Sequence, residues 1–188
     1  MSSEPISIDA KPLQLHPDDV ETKENQFMNI SDRASSILFE PAISTGVVKI
    51  DVLNIESLEA LGIADETVRY DRIQRPEKVG WEKIVYYHCN GGLGHIGDWV
   101  KGNAEFDDKH RIQLEINMNT TPRTLTFFYD DVEQPNYVVN IPSSVRFWAF
   151  IWKTEECFKL LKFESITEPI SKHGDGSKAL EFGKDWSE

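Results

Sequence analysis

Asp130 and Asp131 stand side by side at the end of the aromatic run TLTFFY, residues 124–129. Two carboxylates at one site can share a proton, which is acid–base chemistry. Neighbouring side chains on a strand point to opposite faces, however, so only a turn would bring these two together. Aspartate favours turns for another reason, because its side chain bonds nearby backbone amides. The pair is therefore read as the solvated tip of a hairpin.

Residues 92–97 read GLGHIG, a match to Gly-x-Gly-x-x-Gly. In a dinucleotide site that pattern opens a helix whose N-terminus faces the pyrophosphate. Here a strand-like run over 84–88 precedes it, but DWVKG and more turn residues follow. No strand–helix–strand unit and no phosphate-loop Gly-Lys-Ser/Thr is visible, so no nucleotide is expected. His88, Cys89 and His95 place three soft or borderline donors within eight positions, which invites zinc. A fourth is missing nearby apart from Asp98, and structural sites usually show paired ligand clusters. No metal and no other cofactor is expected. There is no Gly-x-Ser-x-Gly elbow, and Cys89 lacks a context that would activate it. The chain reads as non-catalytic.

Aromatic residues carry more information. On a strand over 145–152, Arg146, Trp148, Phe150 and Trp152 lie on one face and Val145, Phe147, Ala149 and Ile151 on the other. Both faces are largely apolar, as in a strand covered on both sides. The sharper alternative exposes part of the Trp face to a partner. The stretch 69–81, RYDRIQRPEKVGW, runs against the acidic sign of the chain. Arg, Tyr and Trp dominate binding hot spots, so Arg69, Tyr70, Arg72 and Trp81 are the candidate partner-binding residues.

The elements that must hold these residues are strands. In residues 111–118, Ile112, Leu114, Ile116 and Met118 alternate with Arg111, Gln113, Glu115 and Asn117, the mark of a half-buried antiparallel strand. Val48, Ile50 and Val52 repeat the pattern, and Leu53 and Ile55 then change face, which predicts a bulge or twist. Leu125, Phe127 and Tyr129 alternate in the aromatic run. Further strands are expected over 138–141, 145–152 and 158–163, separated by turn residues. Many short strands at this spacing predict an all-β, antiparallel β-sandwich. Ile112, Leu114, Ile116, Leu125, Phe127 and Phe147 are its expected core.

The 188 residues suffice for one domain with tails. Residues 1–26 are polar, with three prolines and no apolar period, and are expected to form a mobile tail. The sandwich is expected over 27–167, followed by a loosely held segment over 168–188, from which Leu180, Phe182 and Trp186 could dock. No apolar run is long enough to span a membrane, and the start lacks the pattern of a signal peptide. A cytoplasmic or nuclear protein is expected, without membrane contact. The formal net charge of −12 disfavours nonspecific nucleic-acid binding. Two cysteines make no disulfide framework.

An ordered series of motifs resembles the SPRY domain family. It runs from STGVVKIDV at 44–52, through ALGIA at 60–64, to the long strand and hairpin over 112–129, and PSSVRFW at 142–148 follows. Asp130-Asp131 replaces the family's usual Asn-Gly, and VKIDV replaces its Tyr-Trp-Glu-Val. The resemblance implies a curved antiparallel sandwich that binds proteins or peptides through loops at one end. The expectation is a monomeric interaction module for a partner protein or peptide, acidic groups included. The competing reading is a lectin-like sandwich stacking a carbohydrate on exposed Trp148 or Trp152 beside Asp or Asn residues.

Overall fold

The computed structural model describes residues 3–187. In chain order the strands begin with β1 (Ile6–Ser7), β2 (Lys11–Pro12), β3 (Val20–Lys23), β4 (Gln26–Asn29) and β5 (Ser35–Glu40). Then come β6 (Val47–Glu56), β7 (Ala60–Asp65), β8 (Ile84–His88), β9 (Leu93–Gly94), β10 (Arg111–Asn117) and β11 (Thr124–Tyr129). The last are β12 (Val132–Glu133), β13 (Asn136–Val139), β14 (Val145–Ile151), β15 (Cys157–Ile166) and β16 (Lys178–Glu181). Helix is confined, among the described residues, to the short 3₁₀ turns Pro76–Val79 and Trp81–Lys83.

The strands form two sheets packed face to face. The larger runs β16-β13-β11-β10-β6-β15-β4-β3, with β1 added along β15 and β12 along β11. The smaller runs β2-β5-β14-β7-β8-β9. Every strand pair is antiparallel except β13–β16. The space between the sheets is filled by the alternating residues read from the sequence. Ile112, Leu114, Ile116, Leu125, Phe127 and Phe147 are all fully buried in one cluster. The expected irregularity beside Leu53 is present: Ile55 of β6 is skipped between the Glu56–Cys157 and Asn54–Phe158 pairs, and β15 slips register again between Leu160 and Lys162. Leu161 is the extra residue and remains 39% exposed.

Both ends of the chain belong to the sandwich, which corrects the boundaries at 26 and 168. Ile6 pairs with Ser165, and β3 forms a hairpin with β4 through Glu24 and Asn25, both at positive φ. Val20 is buried, and Ile8, Ala10 and Leu15 pack on the core. These apolar residues are too widely spaced to show a period, because each short strand touches the sheet for only two to four residues. At the other end Leu180 and Trp186 enter the core. Residues 170–173 cross the outer face of the larger sheet: Glu115 accepts the N–H groups of Ile170 and Ser171, and Glu133 those of Lys172 and His173. Gln113, Glu115 and Asn117 are therefore buried rather than solvated.

Candidate binding surface

The outer face of β14 is covered, as its two apolar faces require. Trp148 is fully buried and donates its indole N–H to Ile63 C=O at 3.0 Å. Phe150 is also fully buried, and Arg75 lies 4.8 Å from the ring of the half-buried Trp152. The lectin-like reading thus loses Trp148, because a sealed ring stacks no sugar. Gly62 on β7 makes this packing possible: a Cβ there would lie 1.8 Å from Val85 O and 3.1 Å from Trp148.

The loop after β7 supplies the cover and divides the candidate residues. Tyr70 is buried and donates its hydroxyl to Pro76 C=O at 2.8 Å; burial pushes its phenol far above the usual range. It holds the loop in place and leaves only 6% of its surface exposed to a partner. Arg72 reaches back to the N-terminal segment and grips Asp19 with two bonds, at 2.7 and 3.0 Å. Arg33 adds a third at 3.3 Å. Asp19 is buried, and the Arg72 bonds hold its carboxyl down to about 2. Arg69 is exposed, with its guanidinium on the carbonyls of Glu66 and Val68. Trp81 packs against Tyr86 and Trp99 instead.

The four candidates therefore do not form one patch. Tyr70 and Arg72 border a groove of about 560 Å³, whose other walls are the 13–20 segment and the start of β5. Ile73, on its rim, was missed by sequence reading. Its side chain is 55% exposed and its φ is +73°. A β-branched residue seldom adopts the left-handed region, so this apolar side chain is held in water by a strained backbone. The groove floor offers backbone as well. Leu38 C=O accepts Leu13 N–H at 2.8 Å. Alternate residues of a strand present their backbone groups to the same side, so Ser36 presents its N–H and C=O there too, beyond the end of β2.

The glycine motif and the metal candidates resolve structurally. A Cβ on Gly94 would lie 3.0 Å from Trp81 and 3.1 Å from Trp99, so its bare backbone seats two indoles. His95 is buried between Phe182 and Trp186. Its Nδ1 lies 2.7 Å from Ile84 C=O and its Nε2 accepts Gly183 N–H at 2.8 Å. That fixes the neutral Nδ1–H tautomer, which burial also favours by lowering the pKa. His95 is thus separated from His88 and Cys89. Those two instead meet Glu59, whose C=O accepts Cys89 N–H at 2.9 Å across the β7–β8 ladder.

Asp130 and Asp131 form the two-residue connection between β11 and β12, at φ of 46° and 68°. Positive φ at both positions is the requirement of a type I′ hairpin, normally met by Asn-Gly. Their carboxylates diverge. Asp130 accepts Arg111 N–H at 2.9 Å and pairs with His110; Asp131 pairs with the Arg111 guanidinium and accepts from Gln113 at 2.7 Å. These bonds lower both pKa values, so no proton is shared.

Two face-packed antiparallel sheets, the Gly-Ile-Ala strand under a buried Trp and this hairpin define a SPRY-like β-sandwich. Among solved structures the chain is similar to the SPRY domain of human HERC1, with a TM-score of 0.59 at 12% identity over 78% of this chain and 96% of that one. A second human SPRY domain gives 0.58 at 13% identity, covering 76% and 94%. The TRIM65 PSpry domain gives 0.61 at 9%, covering 84% and 89%. No family model matches the sequence, and no curated protein matches it. At these identities the likeness establishes the fold alone.

Proposed function

We propose that this chain is a non-catalytic protein-interaction module that takes an extended segment of a partner protein in the groove between residues 13–20, β5 and residues 70–73. Ile73 carries the reading. Backbone strain and an apolar side chain in water both cost stability, and both persist where function selects them. Ser36 supports it, since its free backbone groups suit an extended chain added along β5. Charge at this end is mixed: Asp19 holds Arg72 and Arg33, Glu77 pairs with Arg75, and Asp71 lines the groove. Acidic groups on the partner segment would be met by the exposed parts of Arg69 and Arg72. The module acts as a monomer in this reading. Trp81, beyond the groove, is assigned a supporting place beneath the loop.

The test maps the contact on the isotopically labelled chain. A binding partner is first captured from native extract and narrowed to a peptide. Its addition is expected to shift the amides of residues 35–37 and 70–73. Ile73→Glu should weaken binding by about tenfold or more, as for a hot-spot residue. Ile73→Gly should weaken binding yet raise the melting temperature, because glycine relieves the positive φ. Trp99→Ala, at the opposite edge of the smaller sheet, should bind as the parent does. Peptide shifts centred on Trp99, with both Ile73 variants binding normally, would move the site away from the groove.

A further inference from the structure

We propose that Glu59, His88 and Cys89 form a zinc site at the end of the β7–β8 hairpin, a reading independent of the groove. One carboxylate oxygen, one ring nitrogen and the thiol sulfur all lie within 4.8 Å of one another. Cys89 Sγ is 3.7 Å from His88 Nδ1, and His88 Nε2 is 3.9 Å from a Glu59 oxygen. Tetrahedral zinc, with bonds near 2.0–2.3 Å, sets its donors about 3.4–3.6 Å apart. The cluster therefore needs to close by about 1 Å, within reach of side-chain rotation. All three residues are half-buried.

The scaffold is rigid where it matters. Glu59 N–H donates to Phe150 C=O, and Glu59 C=O accepts Cys89 N–H at 2.9 Å. Two residues facing each other across an antiparallel ladder are held close together. Asn90 N–H on His88 Nδ1, at 3.1 Å, orients the ring. Glu156 is buried, and its Oε2 accepts Trp152 N–H at 2.8 Å. Among the described residues no lysine or arginine pairs with Glu59 or Glu156; Glu59 instead lies 3.9 Å from His88 Nε2. The acids gather without a cation of their own, and a divalent ion supplies one. Mixed sulfur, nitrogen and oxygen donors select zinc over calcium or magnesium, which take oxygen sets.

The experiment titrates zinc chloride into the chelator-treated, reduced full chain by calorimetry, and cobalt chloride by absorption spectroscopy. One zinc per chain is expected, with a higher melting temperature and a thiolate-to-cobalt charge-transfer band. Glu59→Gln, His88→Gln and Cys89→Ala should each lower affinity by at least about tenfold. Cys89→Ala should erase the band, and Cys157→Ala should leave it. Glu59→Gln keeps shape and volume, so it serves if the cysteine variant fails to fold. Absence of stoichiometric binding overturns the proposal. So does zinc uptake that survives Glu59→Gln, which would assign it to surface histidines, or a cobalt adduct lacking the sulfur band.

Discussion

Asp19→Asn tests whether the N-terminal segment is held by charge. The carboxylate is buried and bonded by Arg72 and Arg33. Its pKa falls from 3.8 to about 2, chiefly through the Arg72 bonds. Read directly, such a shift equals about 2.5 kcal/mol. The two guanidinium side chains remain 38% and 48% exposed, so solvent screens the attraction. Discounted for that, the expected loss at pH 7 is about 1 kcal/mol. Because the folded-state pKa is depressed, the contribution is whole above about pH 4, the unfolded value, and fades as pH falls toward about 2. Urea unfolding followed by tryptophan fluorescence, at pH values from 7 down to 2, measures this. The variant and the parent should converge at the acid end. Arg72→Ala should be strongly non-additive with Asp19→Asn in a double-mutant cycle. Equal stabilities at pH 7, a loss that persists at pH 2, or additive effects would each refute the argument.

Leu114→Ala removes a fully buried side chain and should cost about 2–5 kcal/mol in a denaturant melt. Gly62→Ala should prevent normal folding, because its Cβ would meet the Val85 carbonyl; a cooperative melt near that of the parent would contradict the packing. His95 has a lowered pKa, so folding favours its neutral ring; stability should fall as pH drops below about 6.5. Hydrogen exchange should show Gly183 and Trp186 losing protection in acid, and His95→Gln should remove that dependence. Glu115→Ala should free the amides of Ile170 and Ser171 to exchange while β10 stays protected.

The sandwich was legible because alternation reports which face meets the core, and Ile112, Leu114, Ile116 and Phe127 lie where it places them. Alternation says nothing of what lands on the far face. Gln113 and Glu115 read as solvated because the 170–173 strap that covers them is distant in sequence. The N-terminal strands were illegible for a related reason: two paired residues leave no period. At the candidate site, residue type could not distinguish Tyr70, whose hydroxyl finds Pro76, from an exposed tyrosine. Ile73 carried no sequence signal, since its unusual φ arises from the loop's closure. Glu59 was invisible as a partner of Cys89 until β7 and β8 were paired.

The order of the larger sheet puts β3 at one border and β16 at the other, strands drawn from opposite ends of the chain. An open border is a template on which another molecule's strand can assemble. Here the chain covers its own, with four residues on each side. Proteolytic trimming at either end would uncover β4 or β13 and would also take Val20, or Leu180 and Trp186, out of the core. The product would lose packing and gain an open border on which to polymerise, so the end strands protect solubility as much as stability.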